Sequence, residues 1–379
     1  MKKKILFTND IVVGGGVEKL MYDLVWAWHK KYDITIMTFD YDKRFYDYYP
    51  SDVAYLSLSK WIKDPDAEKG FWFWLRKPYR AIVEHMVNVM GFDVLLCMKD
   101  GWPLWRGTRY NIPKKFAWNH TDYNSHYDSK YIFGNEENEV KVMQKYDNIV
   151  CVAKDVKKGV SDVIGNPGNL IVRYNPINVD HIIKRSKELV TDIDSMNLPE
   201  EKRPVRFISV GRLNEQKGYT LLIQAAKMLE DEGYNFEIIV IGSKGKWGGD
   251  EYERIQKTLR ETGAKSCKFI GGRKNPYKYM AIADWFISSS IFEGYSLVSQ
   301  EAAILDVPML LTDCSGAREL LGDSEYGIVM PIGVDGIYQN MKRVLDNPEL
   351  HSYYKEKISE RKKIIDFDKR VSEIEKLFN

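Results

Sequence analysis

Val205-Arg206-Phe207-Ile208-Ser209-Val210-Gly211-Arg212-Leu213-Asn214-Glu215-Gln216-Lys217-Gly218 is the stretch that decides the fold. A short apolar run ends in a glycine and a polar turn, and a helix-like segment follows. The same pattern has already occurred near the N-terminus, where residues 4–8 lead through Gly14-Gly15-Gly16 into a helical pattern near residues 17–31. Apolar runs at 34–39, 94–97, 115–118 and 148–152 complete that first round. Runs at 236–241, 267–270, 285–288 and 309–312 complete a second, which opens at Val205. Strands alternating with helices predict parallel sheets covered on both faces. Two rounds predict two doubly wound α/β units, which suits a chain of 379 residues.

Residues 180–204 are rich in charge and poor in large apolar side chains, and read as an inter-domain passage. The expected domains are therefore 1–178 and 179–354, with a helical tail at 355–379 packing back on the first. Charged residues make up 29% and hydrophobic ones 44%, enough for a packed core. The 56 basic and 54 acidic residues leave a net charge of +2, so no bulk field favours nucleic acid or membrane. The apolar run after Lys2-Lys3-Lys4 is too short for a signal peptide. No apolar run is long enough to predict a membrane span. The four cysteines are scattered, without a CxxC pair, and predict free buried thiols in a reducing cytoplasm.

Ligands of open α/β sheets bind beyond the carboxyl ends of the strands, so the residues just after each strand carry the functional signal. Gly14-Gly15-Gly16-Val17-Glu18 opens a helix and either lets backbone approach an anion or is a flexible turn. It is not GxGxxG, which disfavours a nicotinamide enzyme. Arg212 and Lys217 lie before a helix, where acidic residues are the favoured neighbours. They are either solvated charges or a clamp for a diphosphate. After residues 285–288 comes Ser289-Ser290-Ile291-Phe292-Glu293-Gly294-Tyr295-Ser296-Leu297-Val298-Ser299-Gln300-Glu301-Ala302. Ser296 is a plausible N-cap that leaves the next N–H groups open to a phosphate. Glu293 falls in the loop, and Glu301 lies one to two turns into the helix. Among the six histidines, His120 ends a strand and is the candidate; His126, in an irregular segment, is undecided. Three Asp-x-Asp strings (Asp64/Asp66, Asp192/Asp194, Asp366/Asp368) fall in polar or terminal stretches and read as coincidence, so no metal site is expected.

Together these residues resemble the retaining GT-B glycosyltransferases of family 4. The carrying motifs are Gly15-Gly16-Val17-Glu18, Gly211-Arg212…Lys217-Gly218, Glu293-x7-Glu301 and Ser315-Gly316…Glu319, in the family's order. Asn175-Pro176-Ile177 is similar to the family's hinge entry, in a form more typical of members acting on bacterial surface polysaccharides. The resemblance implies two Rossmann-like domains facing across a cleft, with acceptor on the first and nucleotide sugar on the second. It implies that Arg212 and Lys217 bind the diphosphate, Glu301 the ribose, and Glu293 the transferred sugar. Backbone N–H groups around Ser296, Leu297 and Val298 would meet the phosphates and Gly16 would approach them from the opposite domain, with Gly15, Gly294 and Tyr295 also in the donor site. His120 would sit beside the donor sugar, and Gly271 near the nucleobase. The implied donor is a UDP-sugar, and no metal or other cofactor is needed. Two departures bear on sugar and acceptor: the pair Ser315-Gly316, and Asp306 where a glycine is usual.

The expected reaction retains anomeric configuration, and the acceptor is a hydroxyl of a glycan or lipid-linked glycan. The expected location is the cytoplasm, with peripheral contact at the membrane's inner face. Lys69-Gly70-Phe71-Trp72-Phe73-Trp74-Leu75-Arg76-Lys77-Pro78-Tyr79-Arg80 interleaves aromatics with cations. It is either a membrane-facing surface through Phe71, Trp72, Trp74, Arg76 and Lys77, or a core helix edge with snorkelling cations. Two enzyme alternatives share the architecture, a nucleotide-sugar epimerase and a phosphorylase. A non-catalytic sugar-nucleotide-binding subunit is the non-enzyme alternative.

Overall fold

A computed structural model describes residues 2–10, 15–40, 48–60, 71–193, 199, 202–244 and 249–379, with the backbone alone for Phe71, Trp72 and Phe73. Gly14, Lys69, Gly70, Asp64, Asp66 and Asp194 of the sequence reading lie outside the described residues. The chain divides into two compact units, one of Met1–Pro176 with Asp368–Asn379 and one of Ile177–Phe367.

The first unit holds β1 (Lys4–Asn9), β2 (Asp33–Thr38), β3 (Ala54–Ser57), β4 (Val94–Cys97), β5 (Lys114–Asn119), β6 (Asn148–Cys151) and β7 (Leu170–Val172). Their order across the sheet is β3-β2-β1-β4-β5-β6-β7. The second unit holds β8 (Val205–Val210), β9 (Phe236–Ile241), β10 (Cys267–Phe269), β11 (Trp285–Ser288), β12 (Met309–Thr312) and β13 (Ile328–Met330). Their order is β10-β9-β8-β11-β12-β13. All pairings are parallel, as in β1, whose Ile5 faces Ile34 on one side and Val94 on the other. Ile5, Leu6 and Phe7 are completely buried, as are Phe207 and Ile208 in β8. Central parallel strands are covered on both faces, which is why they read as continuous apolar runs rather than alternating ones.

In each sheet the strand order reverses once, between β1 and β4 and between β8 and β11. The turns that follow these neighbouring strands run to opposite faces and leave a crevice at the carboxyl edge. Each unit thus has one built-in place for a ligand.

Two expectations about the chain's course are corrected. The passage expected at 180–204 begins with a helix, Val179–Ser186, capped by the Asn178 side chain. Its Ile182 is fully buried, and the carbonyls of Arg185 and Leu189 accept from Asn275 and Lys278, both at 2.8 Å. One deeply buried residue and two carbonyl contacts dock a segment that otherwise looks like a linker. The chain instead leaves the first unit between Pro176 and Ile177. It returns at Asp368 rather than near 355, because the helix Glu349–Arg361 buries Tyr354 and Ile358 in the second unit. Back in the first unit, Arg370 is buried and donates to the Asn175 carbonyl at 2.8 Å, with its guanidinium over the Tyr174 ring. Phe378 closes the unit against Trp28 and Tyr32. All four cysteines are free and buried.

Candidate active site

The reversal between β8 and β11 makes the turns after these strands neighbours, and their backbones are joined. Ile291 N–H donates to the Gln216 carbonyl and the Ser289 hydroxyl to the Lys217 carbonyl, both at 2.8 Å. Gly218 makes this approach possible. Its φ is +58°, and a Cβ there would lie 2.2 Å from the Ser289 carbonyl oxygen. The turn after β12 locks onto the same point. Thr312 Oγ1 and Cys314 Sγ both donate to the Ser290 carbonyl, at 2.6 and 3.0 Å. Burial pushes the Cys314 thiol up to about 12, so it keeps the proton it donates. Gly316, at φ +79°, lets this turn press against Tyr295 and the Gly294 carbonyl.

Into this frame project the side chains singled out by the sequence. Lys217 Nζ donates to Glu293 Oε1 at 2.5 Å, and Ser290 Oγ reaches the same oxygen at 2.8 Å. Gln216 Nε2 lies 3.4 Å from Oε2. The pair is largely out of water, at 15% and 12% side-chain exposure, which strengthens a charge-assisted bond. Lys217's stem runs over Gly211, where a Cβ would come within 2.8 Å of Cε. Arg212, one residue on, is exposed and among the described residues has no ion-pair partner.

Ser296 caps the helix Leu297–Ile304, its hydroxyl accepting from Ser299 N–H at 3.3 Å. That bond leaves the N–H groups of Leu297 and Val298 open at the helix start, where backbone dipoles favour an anion. Ser288, Glu293, Tyr295, Ser296, Cys314 and Gly316 line a crevice of about 10 Å³, room for about one water. Glu301 sits in the second turn of the helix, buried, with Tyr277 Oη at 3.4 Å. Gly271 is exposed at the end of β10 with φ +76°. Its carbonyl accepts from Gly242 N–H, and Gly242 in turn lies against the Gly211 carbonyl. Asp306 takes φ +56° just after the helix and pairs with Lys362 at 2.6 Å. It is a left-handed turn residue, a conformation that aspartate tolerates. Asp192 is engaged by Tyr279 and Arg273.

In the first unit, Gly15 N–H is not open: it donates to Glu18 Oε2 at 2.7 Å, and Glu18 Oε1 accepts from Asn9 at 3.2 Å. Gly16 follows as the first residue of the helix Gly16–Trp28. His120, at the end of β5, has Nε2 2.9 Å from the Met98 carbonyl. A carbonyl only accepts, so Nε2 carries the proton and Nδ1 is left as an acceptor. Burial depresses its pKa to about 4, so the ring is neutral at pH 7. Ser290, Gln216 and Tyr277 join the site beyond the residues expected from the sequence. The Ser290-x-x-Glu293 spacing, that of a capping box, was the available signal.

The profile described as "Glycosyltransferase Family 4" matches residues 14–181, and that described as "Glycosyl transferases group 1" matches residues 190–361. The chain belongs to glycosyltransferase family 4. The architecture is accordingly GT-B, and the enzyme transfers a sugar from a nucleotide-diphosphate donor. The chain is similar to the N-acetylgalactosamine-N,N'-diacetylbacillosaminyl-diphospho-undecaprenol 4-alpha-N-acetylgalactosaminyltransferase of Campylobacter jejuni, 24% identical over 93% of both chains. It is also 27% identical to the capsular polysaccharide biosynthesis glycosyltransferase CapM of Staphylococcus aureus, over 37% of each. Among solved structures, Anabaena HepE in complex with UDP and glucose matches with a TM-score of 0.78, over 99% of this chain and 98% of that one, at 17% identity.

The imidazole of this family 4 enzyme gives a direct test. The unfolded ring takes up a proton near pH 6.5 and the folded one only near 4, so stability falls as pH drops through that window. Proton NMR of His120 is expected to show a titration midpoint near 4 and no change between pH 8 and 6. A midpoint near 6.5 would contradict the buried, neutral ring.

Proposed function

We propose that this chain is a retaining, metal-independent transferase that moves a sugar from a UDP-sugar to a hydroxyl of a lipid-linked glycan during bacterial cell-surface polysaccharide assembly. One observation carries the reading: Lys217 and Glu293 are paired at 2.5 Å beside the open N–H groups of Leu297 and Val298. Breaking the donor's glycosidic bond builds negative charge on the diphosphate and positive charge on the sugar. Arg212, Lys217 and the helix amides, fixed before the reaction, favour that distribution over the ground state. They supply the charge a divalent ion would otherwise bring. As Lys217 turns to the diphosphate, Glu293 is released to accept from the transferred sugar's hydroxyls. Glu301 takes the ribose, and Gly271 leaves room for the base.

In the first unit, neutral His120 presents Nδ1 as an acceptor suited to a sugar hydroxyl. Retention follows if the acceptor attacks the face the diphosphate leaves, with a donor phosphate oxygen taking its proton. The lipid-linked acceptor is supported by the Campylobacter relative, named for a diphospho-undecaprenol substrate.

Membrane contact is part of this proposal. Among the described residues no helix is long and apolar enough to cross a membrane. The helix Phe71–Val89, however, buries Val83 and Val87 while leaving Trp74, Ile82, Met86 and Val89 exposed at 43–74%. Lys77 is exposed on the same helix. An apolar stripe with a cation suits an anionic lipid interface. Co-sedimentation with phosphatidylglycerol vesicles is expected to fall in a Trp74→Ala/Ile82→Ala variant; unchanged binding would remove the membrane contact from the proposal.

Lys217→Ala and Arg212→Ala are each expected to lower kcat by about 100-fold or more, the effect of removing one preorganised donor to developing charge. The first-formed product should keep the donor's anomeric configuration by proton NMR. Undiminished turnover, or an inverted anomer, would contradict the mechanism. Isomerised sugar nucleotide formed without acceptor would point to an epimerase instead.

A further inference from the structure

The first sheet has its own reversal, between β1 and β4, and a hollow of about 270 Å³ opens there entirely within the first unit. Asp10 follows β1, Asp100 and Trp102 follow β4, and His126, Asp128 and Tyr131 come from the segment after β5. The lining also includes Lys99, but its ammonium is committed to Asp10 at 3.0 Å. His126 Nε2 lies 2.8 Å from Asp128. Three carboxylates against one paired lysine make this hollow negative. Among the described residues no side chain hydrogen-bonds to the Asp100 carboxylate, and burial holds its pKa up to about 6, with Asp10 adding to the rise and Lys99 opposing it.

The hollow's hydroxyl donors Thr121, Ser129 and Tyr131 are neutral and its one ammonium is paired, so the excess carboxylate charge repels phosphate, diphosphate and uronate groups. It offers lone pairs to hydroxyls. Its rim carries two large rings left in water, Trp102 at 41% exposure and Tyr131 at 75%. Flat aromatic faces beside carboxylates complement a pyranose ring, which has C–H groups on its faces and hydroxyls at its edge. The walls are fixed from behind. Tyr123 and Tyr127 donate to the buried carboxylate of Glu139 at 2.7 and 2.9 Å, and Trp102 packs edge-on against Trp105. The volume lies just under the roughly 300–1,000 Å³ typical of drug-sized ligands, which suits one ring rather than several.

We propose that this hollow receives the terminal ring of the acceptor and selects an uncharged pyranose over an acidic or phosphorylated one. The inference rests on the transferase reading above and adds the chemical class of the acceptor's end. The hollow accepts hydroxyls through Asp10, Asp100 and Asp128, stacks the ring on Trp102 and Tyr131, and turns anions away.

The test uses the full chain saturated with UDP, at pH 7.5, in saturation-transfer NMR. The probes are methyl glucopyranoside, methyl N-acetylgalactosaminide and methyl glucuronide. The two neutral glycosides are expected to take up saturation about five-fold more strongly than the glucuronide. Trp102→Ala and Tyr131→Ala should each weaken the neutral signals; Tyr131 is exposed enough that its loss spares the fold. Asp100→Asn should narrow the preference for neutral over acidic probe, which a purely structural role would not do. Equal binding of the glucuronide, no binding of either neutral glycoside, or signals unmoved by the ring substitutions would overturn the proposal. Failure of the transferase reading looks different: UDP would then give no melting shift in the unaltered protein, whatever the glycosides do.

Discussion

A lysine ammonium and a glutamate carboxylate meet at 2.5 Å where the turns after β8, β11 and β12 converge, and neither has enough water around it to be stable alone. Lys217 and Glu293 are 76 residues apart in the chain. Their pairing requires Gly218 to let Ser289 close in, and the Ser290 carbonyl to be held by Thr312 and Cys314. The arrangement makes chemical sense as a resting state. The buried cation is neutralised by the carboxylate beside it. Arg212 is exposed one residue after Gly211.

The two units use one architecture for opposite electrostatics. Each sheet reverses its strand order once and so opens one crevice at its carboxyl edge. In the second unit, cations and helix amides gather there. In the first, carboxylates and exposed rings do so. A transferase has two different things to hold, a diphosphate that gains charge during the reaction and a hydroxyl-bearing acceptor that does not. The proposed reading assigns the acceptor to the side chains following β1 and β4 and the diphosphate to those following β8 and β11.

Much of this was legible in the sequence because central parallel strands are apolar throughout. Residues 205–210, 236–241, 285–288 and 309–312 were read with the bounds that β8, β9, β11 and β12 have. The unread strands β3, β7 and β13 are three to four residues long and lie at sheet margins, where one ladder neighbour suffices and little apolar pattern is needed. The helix Val179–Ser186 lies where the sequence predicts linker, because its apolar face rests on one deeply buried residue, Ile182. At the site, strand-end position drew attention to Arg212, Lys217, Glu293, Ser296 and Glu301. The mutual neutralisation of Lys217 and Glu293 was not legible, since spacing says nothing about contacts between separate turns. The same holds for Glu18, whose carboxylate takes the Gly15 N–H that the glycine-rich turn offers to an anion. Asp306 stands where the family has glycine and adopts the left-handed turn that a glycine would.

In the proposed mechanism Lys217 exchanges Glu293 for a diphosphate. Calorimetric titration of UDP into the Glu293→Gln variant tests it most directly. Removing the competing carboxylate charge should tighten UDP binding by about tenfold, roughly 1.4 kcal/mol, while sugar transfer falls. UDP affinity that is unchanged or weaker in that variant would mean that Lys217 is not the group waiting to receive the phosphates.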